Sequence, residues 1–346
     1  MADRPIESLG GRTPLEYAKT PKMDELAAKG EIGMVHTIPD GMKPGSDTAN
    51  LSVLGYNPRE FYSGRSPLEA LSIGVPMKDT DVALRCNIVT LSEEEDNYED
   101  RTIIDHSSGE ISTEECAVLL EAVKKELETD IFHFYVGTSY RHCLIWENGE
   151  VVDLVQPHDV LGQKIGDKLP ENEVLREMMK KSYDILVNHP INIERRKKGL
   201  NPANSCWFWG AGTKPALYPF TERTHKKGAM ISAVDLLKGI AVGTSMKVIT
   251  VDGANGGLDT NYEGKAKAAL DVLTRDGYDF VYVHLEGPDE MGHQGSVEKK
   301  VKAIERLDER IIRPIAEGFP HGGASGSSDT DFPAYTHGRQ CAVSAL

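Results

Sequence analysis

The segment VYVHLEGPDEMGH, residues 281–293, runs from an apolar β-type stretch through a Gly-Pro turn into a helix-compatible stretch. Asp289 and His293 are four residues apart, so a helical turn places the carboxylate and the imidazole on one face. Ligands of open α/β sheets bind where the strands end, and mixed oxygen and nitrogen donors suit Mn²⁺ or Zn²⁺ better than Ca²⁺. The segment therefore predicts an α/β sheet with a candidate metal site at a strand end. The alternative is a capping Asp and a surface His.

Similar apolar runs recur along the chain and alternate with helical patterns. This alternation is typical of βα units around a largely parallel sheet. Strands are predicted at residues 82–91, 131–135, 142–146, 247–251 and 280–284. Helices are predicted at residues 112–128, 232–242, 264–276 and 296–319. A loop rich in Pro, Trp and Gly is expected at residues 201–215.

Size and charge restrict the possible functions. The chain has 346 residues, which at about 150 residues per domain suggests two domains. Its 39 Lys and Arg against 54 Asp and Glu give a formal net charge of −15. Such an acidic chain repels nucleic-acid phosphates and anionic lipids. We therefore expect no nucleic-acid or membrane partner, whereas a small anionic substrate needs only a local cluster of basic residues.

Cysteine usage and apolar runs indicate the compartment. The five cysteines are widely spaced and include no C-x-x-C pair, which argues against a disulfide framework and a zinc knuckle. The sequence does not show the basic N-terminal segment followed by an apolar stretch that is typical of a signal peptide. No apolar run approaches the length of about 18 residues that a membrane span needs. The sequence therefore predicts a cytoplasmic protein.

A candidate nucleophile lies in DGMKPGSDTAN, residues 40–50. Pro44 and Gly45 favour a turn, so Ser46 is expected at or near the start of a helix, where unpaired N–H groups favour phosphate. A serine hydroxyl is a weak nucleophile until a base or a metal lowers its pKa. The alternative is that Ser46 is only a helix N-cap.

Several basic residues could hold an anion. An arginine within an apolar strand is costly unless it faces a site or a carboxylate, and Arg85 in the run LRCN is the most suggestive case. Arg195 and Arg196 are expected in a solvated turn. The remaining candidates are Arg141, Lys214, His106 and His158.

Long runs of the sequence resemble one known family. They include IPDGMKPGSDTANLSVLGYNP, NPANSCWFWGAGTKP, LDTNYEGKAKAAL and HLEGPDEMGHQG. Over residues 2–318 the chain is similar to the archaeal-type cofactor-independent phosphoglycerate mutases, a branch of the alkaline phosphatase superfamily. The resemblance implies an isomerase of glycolysis and gluconeogenesis that interconverts 3-phosphoglycerate and 2-phosphoglycerate without 2,3-bisphosphoglycerate.

The resemblance also implies residue roles. Ser46 matches a metal-ligating serine that takes the substrate phosphate and returns it to the other hydroxyl of glycerate. Asp289 and His293 match two ligands of one of two divalent metals, with Mn²⁺ expected first and Mg²⁺, Co²⁺ or Zn²⁺ as alternatives. The residues that match substrate-binding segments are Arg85, Asn87, Arg141 and Lys214.

The implied fold is an α/β architecture in which a phosphatase-like three-layer metal domain is interrupted by a second α/β domain. We expect residues 1–80 and 215–346 to form the metal domain and residues 81–214 to form the inserted substrate-binding domain. Phosphoglycerate is the expected partner, and the sequence does not indicate an oligomeric state.

Both ends of the chain depart from the family pattern. The family strand that ends in Gly-Asp-Gly-Met-Ala-Asp, with a ligating Asp, is not found before Met1. Residues 320–346 show no predicted strand and no Asp-His pair, and His337 matches the last family ligand only superficially. We therefore expect a coding sequence truncated at its start and frameshifted after Phe319, incomplete metal shells and little mutase activity. The alternatives are a metal-dependent phosphomonoester hydrolase of the superfamily and an inactive truncated chain.

Overall fold

The computed structural model describes residues 1, 3–318, 335–336 and 339–344, the last two segments by their backbone. Its strands are β1 (Val82–Leu91), β2 (Ile103–Asp105), β3 (Phe132–Thr138), β4 (Arg141–Trp146), β5 (Ser205–Thr213), β6 (Gly228–Ile231), β7 (Lys247–Ile249), β8 (Phe280–His284), β9 (Tyr335–Thr336) and β10 (Arg339–Ser344). Its helices are α1 (Pro14–Tyr17), α2 (Pro21–Lys29), α3 (Ser46–Val53), α4 (Pro58–Phe61), α5 (Arg65–Ser72), α6 (Thr113–Leu127), α7 (Glu173–Leu186), α8 (Pro190–Lys197), α9 (Phe220–Thr224), α10 (Asp235–Gly243), α11 (Tyr262–Thr274), α12 (Gly287–His293), α13 (Val297–Leu307) and α14 (Arg313–Gly318). A π-helical segment, Asp308–Ile312, joins α13 to α14.

The chain forms two compact units. The first comprises Met1–Glu60 with Leu217–Leu346, and the second comprises Phe61–Ala216. The boundary therefore falls earlier than residue 80, because α5 packs within the second unit. Ala70 of α5 lies in one buried cluster with Ala83 of β1 and Cys143 of β4.

The first unit is built on a sheet with the strand order β7-β6-β8-β10-β9. Strand β6 runs parallel to β7 and to β8. Every residue of β8 is buried, as expected for a parallel strand covered on both faces. The buried face of α11, which includes Ala266 and Ala269, packs in the same apolar cluster as Val281 and Val283. The predicted βα alternation is confirmed in this unit.

Strand β10 corrects the expectation that residues 320–346 contain no strand. Its backbone pairs in parallel with β8, with Gln340 opposite Phe280 and Ser344 opposite His284. A strand this short gains stability from its ladder with a neighbour more than from its own composition, so the sequence alone gives little sign of it. His337 lies outside the described residues.

The second unit contains an antiparallel sheet, which corrects the prediction of a largely parallel one for strands β1, β3 and β4. Strand β1 pairs antiparallel with β4 on one side and with β5 on the other. Only two residues separate β3 from β4, and so short a turn can join only antiparallel strands. Strand β5 also corrects the loop expected at residues 201–215, because its run SCWFWGAGT is held by the ladder with β1.

The two faces of β1 have different environments because successive side chains of a strand point to opposite faces. Leu84, Cys86 and Ile88 enter a large apolar core together with side chains of α6 and α7. Arg85 and Asn87 alternate with them and therefore lie on the other face, and Arg141 of β4 lies opposite Asn87 in the ladder.

Candidate functional site

Ser46 is the first residue of α3 and is exposed. The N-cap position belongs to Gly45 and no side chain caps this helix end, so the alternative reading of Ser46 as the N-cap is wrong. Buried Asn50 donates from Nδ2 to the Ser46 carbonyl oxygen at 2.7 Å and accepts from the Tyr282 hydroxyl at 2.6 Å. Asn50 therefore ties the first turn of α3 to β8 and leaves Ser46 at the surface.

Asp289 and His293 lie on α12, immediately after β8. The distance from His293 Nε2 to Asp289 Oδ2 is 3.4 Å, and both side chains are largely exposed. The N-cap of α12 is Glu286, so Asp289 does not cap the helix. The structure brings this pair together as the spacing predicts. No hydrogen bond or ion pair within the described part of the chain joins the pair to Ser46.

The described residues do not fit a complete metal centre. Residues 1, 3–318, 335–336 and 339–344 contain no group of three His, Cys, Asp or Glu side chains that could hold a metal ion. Asp289 and His293 supply one carboxylate and one imidazole, and an exposed pair is short of a metal shell. We therefore assign no chemical step to a metal.

Sequence reasoning missed a buried lysine at the end of β8. The Lys265 side chain donates from Nζ to the His284 carbonyl oxygen at 3.1 Å and is fully buried. Burial lowers the pKa of Lys265 to about 8, while the Glu286 carboxylate opposes this shift. The available signal was a lysine on the apolar face of the helical pattern at residues 264–276. Lys265 therefore places a buried cationic group beside the strand end that leads into α12.

In the second unit, Arg85 is almost completely buried on the face of β1 opposite the core. Its guanidinium lies 4.3 Å above the centre of the Trp209 ring, and its Nε is 3.0 Å from Glu69 Oε2. Although this distance is that of an ion pair, Nε makes no hydrogen bond. Burial lowers the pKa of Arg85 to about 10, a shift that Glu69 opposes and that Arg65 and Arg141 increase.

Asn87 connects the Trp209 ring to the backbone of His106. Its Oδ1 accepts a hydrogen bond from Trp209 Nε1 at 3.0 Å, and its Nδ2 donates to the His106 carbonyl oxygen at 3.2 Å. Asn87 is fully buried. These bonds fix the positions of Trp209 and of the segment that carries His106.

A continuous series of rings leads from Arg85 to Arg141. The His158 ring lies 5.4 Å from Trp209 and 6.0 Å from His106, and the His106 ring lies 5.7 Å from Tyr140. The Arg141 guanidinium is 5.1 Å from the Tyr140 ring centre. The His106 Nδ1 atom is buried without a hydrogen-bond partner. We call this set the ring cluster; its members are Arg85, Trp209, His158, His106, Tyr140 and Arg141.

The other basic candidates have separate partners. Lys214 Nζ lies 3.1 Å from the exposed Asp79 carboxylate. The expectation that Arg195 lies in a solvated turn is wrong, because Arg195 is buried and its guanidinium pairs with Glu115 at 2.6 Å. Arg196 pairs with Glu93. Within the described part of the chain, the partners of these three residues all lie outside the ring cluster, and Arg195 and Arg196 hold helices and loops together.

Comparisons with known proteins agree on one family. A family model described as 2,3-bisphosphoglycerate-independent phosphoglycerate mutase matches residues 27–192. A protein of that name from Methanosarcina barkeri is 52% identical over 321 residues, which is 91% of this chain and 78% of the relative. A "probable" mutase of the same name from Geobacter sulfurreducens is 48% identical and covers 94% of this chain and 81% of the relative.

Solved structures give the same result. A Pyrococcus horikoshii protein superposes with a TM-score of 0.75 at 34% identity, covering 92% of this chain and 76% of the other. The cofactor-independent phosphoglycerate mutase from Thermoplasma acidophilum superposes with a TM-score of 0.60 at 29% identity, covering 91% and 81%. The expected α/β fold of the alkaline phosphatase type is confirmed by these likenesses.

None of the described helices is both long and apolar enough to cross a membrane. The chain matches its relatives over nine-tenths of its length. The matching chain contains the predicted strands β1 and β8, the exposed serine at the start of α3 and the Asp-His pair after β8. The chain belongs to the family of 2,3-bisphosphoglycerate-independent phosphoglycerate mutases.

Proposed function

We propose that the chain interconverts 3-phosphoglycerate and 2-phosphoglycerate without 2,3-bisphosphoglycerate. The observation that carries this proposal is the 52% identity to a mutase of that name across 91% of the chain. The reaction is an isomerisation, since the phosphoryl group leaves one hydroxyl of glycerate and returns to the other. Its place in glycolysis and gluconeogenesis, and a cytoplasmic location, belong to the same proposal.

Ser46 is the proposed phosphoryl acceptor. Ser46 is exposed in the first turn of α3, and the N-terminus of a helix favours phosphate oxygens. In this turn the Thr48 N–H donates to Asp47 Oδ1 at 2.7 Å. The Ser46 hydroxyl would release its proton to solvent as its oxygen attacks phosphorus and the bond from phosphorus to the substrate oxygen breaks. The substrate oxygen would take a proton from solvent and leave as the hydroxyl of glycerate. The reverse attack by the other hydroxyl completes the exchange.

The ring cluster of the second unit is the proposed contact surface for the substrate anion. Arg85 and Arg141 lie at the two ends of the cluster, and the Arg141 charge is near enough to add to the lowering of the Arg85 pKa by burial. Guanidinium groups bind carboxylate and phosphate through paired hydrogen bonds. Asn87 holds Trp209 in place beneath Arg85. Lys214 is also a proposed substrate contact. Its side chain forms a surface ion pair with Asp79.

Two divalent metals, with Mn²⁺ first, belong to the proposal because of the family resemblance. Asp289 and His293 are the two residues that would hold one of them, since their side chains are already 3.4 Å apart. The expectation of incomplete metal shells stays a prediction, and metal titration of the purified chain measures it.

Product analysis tests the proposed function. The purified chain is incubated with Mn²⁺ and 3-phosphoglycerate without 2,3-bisphosphoglycerate, and the phosphorus NMR spectrum is followed. We expect 2-phosphoglycerate from the native chain and none from Ser46→Ala, which lacks the acceptor oxygen. Ser52→Ala in the same helix is the control, because Ser52 lies near the other end of α3.

Two outcomes would contradict the account. Inorganic phosphate and glycerate without 2-phosphoglycerate would indicate a hydrolase, and equal product from native chain and Ser46→Ala would exclude the serine. The same assay, run beside the Methanosarcina barkeri relative, measures the expectation of little mutase activity. Equal rates for the two proteins would show that this expectation is wrong.

A further inference from the structure

His158 occupies the middle of the ring cluster, where nothing yet assigns it a role. It lies in the short 3-10 helix Pro157–Asp159, with its ring nearly perpendicular to Trp209 and to His106. The side chain is 43% exposed, so solvent and solutes reach it. Trp209 in turn is fixed by Asn87. The ring is therefore held among the groups that face the proposed anion site, yet stays open to a ligand.

The surroundings of His158 disfavour protonation of its ring and so lower its pKa. Burial is the first cause that lowers the pKa of His158, and the neighbouring His106 ring and the positive charges of Arg85 and Arg65 add to it. These groups face it from the segment after β2, from β1 and from α5. Among the groups that shift this value, Asp159 is the one that raises the pKa of His158. Asp159 Oδ1 lies 3.9 Å from His158 Nε2. A bound anion would reverse this balance.

We propose that His158 takes up one proton from solvent when a phosphorylated hydroxy acid binds to the ring cluster, and then acts as a third cationic contact beside Arg85 and Arg141. This inference rests on the proposed function for the identity of its ligand. A ligand with a carboxylate and a phosphate adds negative charge next to the imidazole, and an opposite charge within a few Å favours the protonated ring. The binding of anion and proton are thus linked, and each strengthens the other.

Calorimetry on the full chain measures the proton directly. The binding of 3-phosphoglycerate is followed near neutral pH in two buffers that differ in ionisation enthalpy, and the difference in heat counts the protons exchanged. The phosphate of the ligand also titrates in this range, so the quantity of interest is the difference between native chain and His158→Gln. We expect His158→Gln to lose up to about one proton of uptake and up to about tenfold in affinity.

A matched control keeps the result specific. His133 lies in the same unit on β3 and pairs with Glu147 at 3.5 Å, outside the ring cluster, so His133→Gln should exchange protons as the native chain does. Because the His158 side chain is partly exposed, glutamine at this position should not disturb folding. Proton NMR of the His158 ring provides a second reading, since its pKa should rise when 3-phosphoglycerate is added.

The outcomes separate this inference from the proposed function. Equal proton uptake by native chain and His158→Gln, an unchanged His158 titration, or no binding of 3-phosphoglycerate would overturn it. Proton uptake that depends on His158 in a chain that makes no 2-phosphoglycerate would support the inference and contradict the proposed function. Formation of 2-phosphoglycerate without any proton uptake that depends on His158 would support the proposed function and contradict the inference.

Discussion

At the scale of single residues, two buried histidines have a lower pKa in the folded chain than in the unfolded one. His142 and His284 are both nearly inaccessible, and burial lowers the pKa of each to about 4. His142 Nδ1 accepts a hydrogen bond from the Gly137 N–H at 3.1 Å, and its Nε2 lies 3.1 Å from the Cys116 sulfur. Since Nδ1 accepts, Nε2 carries the proton of the neutral ring.

These values predict a loss of stability in mild acid. Below about pH 6.5 the unfolded chain binds a proton at each histidine, whereas the folded chain excludes it until about pH 4. The free energy of unfolding therefore falls over this window, by about 3 kcal/mol for each histidine at its lower end. Urea unfolding at a series of pH values measures the loss, which should be smaller in His142→Gln. The same pH dependence in both proteins would contradict this assignment.

Single residues also show how far the site could be predicted. The spacing of Asp289 and His293 was sufficient to place them together, because helical periodicity alone sets that distance. The roles of Arg195 and Lys265 could not be predicted. Their partners, Glu115 and the His284 carbonyl, lie far from them in the sequence and approach only in the folded units.

At the scale of elements, one carboxylate joins α5 to β1. Glu69 of α5 accepts from Arg65 Nε at 2.7 Å on its own helix and pairs with Arg85 Nε of β1 at 3.0 Å. A buried guanidinium without a counter-charge is costly, so removing the carboxylate should destabilise the second unit more than removing an exposed one.

The variant Glu69→Gln tests this connection. We expect it to lower the free energy of unfolding by about 2 kcal/mol, less than for a fully buried pair because Glu69 is partly exposed. Glu147→Gln is the control, since its partners are Lys78, which is 65% exposed, and the partly exposed His133, and it should cost less than about 1 kcal/mol. Equal losses in the two variants, measured by urea unfolding, would show that Arg85 does not depend on Glu69.

Helices and strands were predicted where the sequence pattern of a short segment is sufficient to identify them. Strands β1 and β8 begin and end at the predicted residues, because long apolar runs bounded by polar residues are a strong signal. Strand direction in the second unit was not predictable from alternation with helices, since the two-residue turn between β3 and β4 determines it. Strand β5 was not predicted because Gly210 and Gly212 resemble a loop. Gly212 is paired with Ala83 of β1, whereas Gly210, with a φ of 65°, lies where the register of this ladder shifts.

At the scale of the whole molecule, the chain is one unit interrupted in sequence by another, with Ser46, Asp289 and His293 in the first and the ring cluster in the second. Chain length predicted two domains, and the family resemblance predicted that one interrupts the other. The exact boundary between the two units was not predicted, because it depends on the packing of α5 within the second unit. The central claim is that Ser46 carries the phosphoryl group between the two hydroxyls of glycerate.

Acid-quench mass spectrometry tests that claim most directly. The chain is mixed with Mn²⁺ and 3-phosphoglycerate, stopped with acid at short times and digested, and the peptide that contains Ser46 is analysed. The account predicts that this peptide gains the mass of one phosphoryl group on Ser46, and that the gain is absent from Ser46→Ala. Formation of 2-phosphoglycerate with no phosphorylated Ser46 at any time, or with the phosphoryl group on another residue, would contradict it.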